Sequence, residues 1–107
     1  MQLNLIKQCI KHWVQRRLRG WDDSDTWDMS LATSKLLVPR LIRFKQLNNG
    51  IPPELTEAKW DKILDEMIWT FQFLAGDEQY LCNDKKKWDR VERGLDLFRK
   101  YFRDLWW

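Results

Sequence analysis

The sequence predicts an all-α protein: a compact bundle of about four helices forming one domain over 1–107. Three observations lead there. Apolar residues recur three and four apart in four separate stretches, which gathers them on one face of a helix. No stretch alternates polar and apolar residues as a strand does. Gly and Pro number only 4 and 3, and 44% hydrophobic with 33% charged residues is the balance of a folded chain, not a disordered one.

The first helix reads from "LNLIKQCIKHWVQRRLRG", where Leu3, Ile6, Ile10, Trp13, Val14 and Leu18 share a face and Gly20 supplies the stop. Arg16, Arg17 and Arg19 fall in its last turn, where positive charge suits a helix C-terminus. A long contact between this helix and the last one is expected to close the bundle. The second helix starts near Asp28 or Ser30, either of which can cap it, and runs to Asn48, Asn49 and Gly50. Leu31, Leu37, Leu41, Phe44 and Leu47 form its inner face, with Ile42 beside it. Pro39 lacks an amide hydrogen and presses on the preceding turn, so a kink or break is expected there.

The third helix is the best marked. Thr56 is placed as its N-cap, Glu57 lies in its first turn, and Leu55 and Trp60 hold the two positions of a hydrophobic staple. Trp60, Ile63, Leu64, Met67, Ile68, Phe71 and Leu74 then keep the helical repeat up to Gly76. After the polar stretch "DEQYLCND", Asn83 or Asp84 can cap a last helix whose buried face is Trp88, Val91, Leu95, Phe98, Phe102 and Leu105. Gly94 inside it costs about 1 kcal/mol against Ala, which a close helix crossing at that point would explain.

Composition narrows the classes of function. Net charge is +3, with 16 acids interleaved among 19 bases, and a nucleic-acid binder more often shows a one-sided basic stripe. Arg40, Arg43 and Lys45, with Lys85, Lys86, Lys87, Arg90 and Arg93, could line such a surface, but their acidic neighbours argue against it. Cys9 and Cys82 stand far apart with no Cys or His cluster around them, so neither a disulfide framework nor a zinc site is indicated and a reducing compartment fits. "MQLNLIKQCI" lacks the features of a signal peptide, and no apolar run is long enough to span a membrane. A cytosolic protein without membrane association is expected.

The segment "GWDDSDTWDMS" is the first place to look for a site, because capping two helix ends does not require four aspartates. Trp21 and Trp27 could flank a planar group, Asp22 or Asp25 could accept hydrogen bonds from hydroxyls or amino groups, and Arg16, Arg17 or Arg19 could meet a phosphate. Alternatively the acids and rings could grip a protein through salt bridges and cation–π contacts, since Trp is enriched at binding hot spots. The candidate contact residues are Trp21, Asp22, Asp25, Thr26 and Trp27, with Arg17 and Arg19. Trp106 and Trp107 could close a homo-oligomer. Structural roles as turns and caps compete with all of these.

Catalytic machinery is not indicated. The single His, His12, sits beside Trp13 among basic residues, and no glycine cluster could cradle a phosphate. Glu57, Asp61 and Asp65 recur every four residues as a solvated face does, without the Glu-x-x-His pairs of a helical di-metal site. "DDSD" lacks the ligand alternation of a calcium loop. No cofactor and no metal are expected.

The pieces "RGWDDSDTWDMS", "LVPRLIRFKQLNNGIPPELTEAKWDKILDEMIW" and "GLDLFRKYFRDLWW", in that order, resemble a family of small uncharacterised proteins of tailed bacteriophages, over about Arg19 to Trp106. In similar proteins the linker again reads W/Y-x-x-x-D-x-W, which here falls on Trp21, Asp25 and Trp27. The resemblance carries no catalytic residues. It implies action in the cytoplasm of an infected bacterium, as an accessory protein that binds a host factor or interferes with a defence. A sponge that sequesters a nucleotide-derived signal is the alternative, and a nucleic-acid-binding module a third.

Overall fold

The computed structural model describes residues 2–47 and 50–106, and among them five α-helices and no strand. In chain order these are α1 (Gln2–Arg19), α2 (Met29–Leu47), α3 (Glu57–Ala75), the short α4 (Glu78–Leu81) and α5 (Lys85–Tyr101). A 3-10 turn, Asp23–Thr26, lies between α1 and α2, and a second, Phe102–Asp104, follows α5.

Local chemistry sets the helix ends. Gly20 takes φ +83°, the left-handed conformation that favours glycine, and its amide bonds the Arg16 carbonyl at 2.9 Å to close α1. Asp28 caps α2 by accepting from the Leu31 amide at 3.0 Å. The Thr56 hydroxyl accepts from the Lys59 amide at 3.3 Å at the start of α3, and the Asp84 carboxylate accepts from the Lys86 amide at 2.9 Å at the start of α5. Asn48 and Asn49, expected as terminators of α2, lie outside the described residues. The polar stretch after Gly76 carries α4, which the sequence pattern did not indicate. Its Gln79 amide donates to the carbonyls of Leu74 (2.6 Å) and Gly76 (3.1 Å), satisfying acceptors that the end of α3 leaves open.

α3 is the centre of the core, packed by α2 on one side and α5 on the other. Trp60, Leu64, Met67 and Phe71 from α3 are buried with Leu41 of α2 and Tyr101 of α5, and Leu55 packs against them as the staple predicts. Phe73, Leu74 and Val91 form a second cluster, against which Trp69 and Trp88 rest. α2 runs without a break through Pro39, because Leu37, Val38, Leu41 and Phe44 on both sides of the proline are held against the same cluster. At the far end the expected burial of Phe102 does not occur. The helix gives way to a 3-10 turn there, so Tyr101 turns inward at 5% exposure while Phe102 stays 60% exposed.

α1 departs most from expectation. It packs against no other α-helix among the described residues, α5 included, and meets the rest of the protein through the linker from Trp21 to Trp27. Leu3, Ile6, Ile10, Trp13, Val14 and Leu18, expected to face a core, are all exposed. The radius of gyration is accordingly 17.2 Å and the extents are 56 × 36 × 19 Å, against about 13 Å for a compact chain of this length.

Candidate binding surface at the linker

The linker acids are engaged with α1. Asp22, only 4% exposed, caps the 3-10 turn by accepting from the Ser24 amide at 2.8 Å and from its hydroxyl, and it accepts from Arg16 Nη2 (2.5 Å) and Nε (3.1 Å). Asp25 answers by accepting from the Asp22 amide at 3.2 Å, which completes a capping box, and lies 3.5 Å from Arg16 Nη2. Asp23 takes three side chains of α1 at once: Lys11 at 3.1 Å, Gln15 at 2.9 Å and Arg19 at 2.8 Å. Gln15 also accepts from the Asp23 amide at 2.8 Å, so its carboxamide is used in both directions.

Charge states follow from these contacts. Hydrogen bonds from Ser24 and then Arg16 hold the Asp22 carboxyl below the ordinary carboxylate range, against the opposing effect of burial. Gln15, Lys11 and Arg19 hold Asp23 well below it. Hydrogen bonding to Asp22 raises Arg16 in turn. The fourth acid, Asp28, caps α2 and accepts from the Tyr80 hydroxyl at 3.2 Å; burial first, and Asp28 second, push that hydroxyl up. All four aspartates thus have internal partners.

The indoles remain outside. Trp21 is 45% and Trp27 71% exposed. The Arg19 guanidinium lies 3.7 Å from the Trp21 ring centroid, and Trp27 meets His12 edge to face at 5.4 Å. Only Trp21 lines the neighbouring cavity of about 710 Å³, together with Asp25 and Thr26, the end of α1 at Arg16, and Met29, Thr33 and Leu36 of α2. The two rings therefore do not share one slot. Arg17 points elsewhere, over Trp13 at 5.6 Å. Trp106 is exposed, and Trp107 lies outside the described residues.

Several of these residues were missed in the sequence. Lys11 and Gln15 are two of them: with Arg19, already a candidate, they stand four apart and form one polar row on α1, a signal that the three share a partner. Met29, Ala32, Thr33 and Leu36 likewise follow i, i+3, i+4, i+7, giving α2 a second, partly apolar face towards the cavity.

Cations named for a nucleic-acid surface are partly engaged between helices. Arg90 makes two bonds to Glu66 (2.9 and 3.0 Å), Lys45 pairs with Asp65 at 2.5 Å, and Lys87 pairs with Glu78. Among the described residues no three His, Cys, Asp or Glu side chains cluster to hold a metal, and no helix is long and apolar enough to cross a membrane. Cys9 and Cys82 are free thiols. No protein-family model matches the chain, and neither a curated protein nor a solved structure matches it.

Proposed function

We propose that the protein is a non-enzymatic binding protein that engages a host protein through the surface where the linker meets α2, and by occupying it interferes with a host process or defence. One observation carries this: a concavity of about 710 Å³ is rimmed by exposed Trp21, Met29 (66%) and Leu36 (50%) and built on a linker whose acids are all internally bonded. Such a surface is pre-organised, so little ordering cost opposes binding, and tryptophan is enriched at hot spots while methionine is enriched at interfaces generally. The resemblance to tailed-phage proteins supplies the setting, the cytoplasm of an infected bacterium.

A nucleotide-binding role fits less well. It needs Asp22 or Asp25 to accept from a ligand, yet the Asp22 oxygens already serve Ser24 and Arg16 and the group is buried.

The test is photo-crosslinking from Met29 in infected or expressing cells, followed by reconstitution with the captured protein. The reading expects stoichiometric binding that Trp21→Ala and Leu36→Glu each weaken at least about tenfold, the loss expected for a hot-spot residue, with the fold retained. Undiminished binding by both variants, or tight binding of a nucleotide with no protein captured, contradicts it.

A further inference from the structure

The apolar stripe of α1 lies on a different surface from the cavity, and it is turned the wrong way for a lone chain. Lys11, Gln15, Arg16 and Arg19 bind the linker acids, so the polar face of α1 looks towards its own protein. Leu3 (72% exposed), Ile6 (54%), Ile10 (58%), Trp13 (64%) and Leu18 (82%) look away. We infer that α1 is a dimerisation helix, pairing antiparallel with α1 of a second copy about a two-fold axis near Ile10.

Spacing, charge, area and shape select this occupant. Leu3, Ile6, Ile10 and Trp13 follow the three-four rhythm of a seam between two helices. In an antiparallel pair centred on Ile10, Ile6 and Val14 of the other copy fall at the same level along the seam. The two Lys7 ammonium groups are then offset by about 9 Å along the axis and the two Arg17 by about 21 Å, at 1.5 Å per residue. A parallel pair would set each of these like charges directly against its mate. Burying the stripe on both helices removes on the order of 1,000 Å² from water, the lower bound for a specific interface. Because α1 packs against no other helix among the described residues and is held through the linker alone, two copies can meet along its length with their three-helix cores at opposite ends.

Charge also argues against a lipid surface as the occupant. α1 carries five cations and no acid, as a membrane-lying helix often does. Three of them, Lys11, Arg16 and Arg19, are bound by Asp22 and Asp23 and are not available to anionic headgroups.

Sedimentation equilibrium of the purified chain tests the inference. A dimer is expected in the micromolar range, and Ile10→Glu is expected to yield a monomer with unchanged helical circular dichroism. In a Cys9→Ser/Cys82→Ser background, Ile10→Cys should oxidise to a covalent dimer, because the two-fold axis brings that position against itself. Leu3→Cys in the same background should not. A chain that stays monomeric up to about 100 µM, a dimer that survives Ile10→Glu, or efficient self-linking at position 3 overturns it. A wild-type monomer that binds anionic vesicles overturns it too. None of these outcomes bears on the cavity, so the two proposals fail separately.

Discussion

Gly94 of α5 lies directly against Thr70 of α3: a β-carbon placed on the glycine would come within 1.7 Å of the threonine Oγ1 and 2.7 Å of its Cβ. Thr70 is fully buried, and among the described residues its hydroxyl has no hydrogen-bond partner. This is the close crossing that an interior glycine suggests, and it sets how near α5 approaches the central helix. Gly94→Ala is therefore expected to destabilise the fold by about 2 kcal/mol, because overpacking outweighs the gain of about 1 kcal/mol in helix propensity. Adding Thr70→Ala removes Oγ1 and Cγ2 and should recover part of the loss. Urea denaturation of both variants measures this, and an unchanged or raised midpoint for Gly94→Ala contradicts it.

Arg90 fastens the same pair of helices beside the core. It makes two bonds to Glu66 while its guanidinium lies 4.0 Å from the Trp69 ring centroid. Lysine can reproduce neither the fork nor the stacking. Arg90→Lys should cost about 1 kcal/mol, the modest figure appropriate to a half-exposed pair with one cation–π contact. Thermal unfolding reads it, and full stability of Arg90→Lys would show that only the charge matters.

Asp23 is the anchor for Lys11, Gln15 and Arg19. Asp23→Asn should loosen α1 alone, raising amide exchange in α1 by roughly tenfold while exchange in α3 stays as it was. Exchange followed by mass spectrometry separates the two helices. Equal acceleration in both would mean that α1 and the core unfold as one unit.

Acid should release the linker from α1 late. The Asp22 and Asp23 carboxyls are held below their unfolded value of about 3.9. Stability from a depressed carboxyl is fully present above the unfolded value and is lost as pH falls through the folded one. The α1 contacts should persist through about pH 4 and give way in more acidic solution. Carboxyl-carbon NMR titration checks this, and Asp23 titrating at an ordinary value refutes the three-partner geometry.

The parts legible in the sequence are those governed by short-range chemistry. Thr56, Asp84 and Asp28 cap the helices they were expected to cap, and the stripe from Trp60 to Leu74 on α3 faces the core. Gly94 announced a crossing because a glycine there has no local use. The destination of α1 was not legible. Periodicity shows that Leu3 to Leu18 form a face that favours burial but not what covers it, and the direction is set by pairings across the linker, Arg16 with Asp22 and Gln15 with Asp23. Phe102 went astray for a different reason: a 3-10 turn shifts the phase of the chain, and the helical repeat carries no sign of it. The excess of aspartate was visible, and its explanation lay in the row Lys11, Gln15, Arg19 one helix earlier.

Whether α1 stands off the core with its apolar stripe outward is decided most directly by small-angle X-ray scattering of the wild-type chain extrapolated to low concentration. The account predicts a radius of gyration near 17.2 Å for a lone chain, and a larger value where two copies pair through α1. A value of about 13 Å, that of a chain with α1 folded back over α2 and α5, would contradict it.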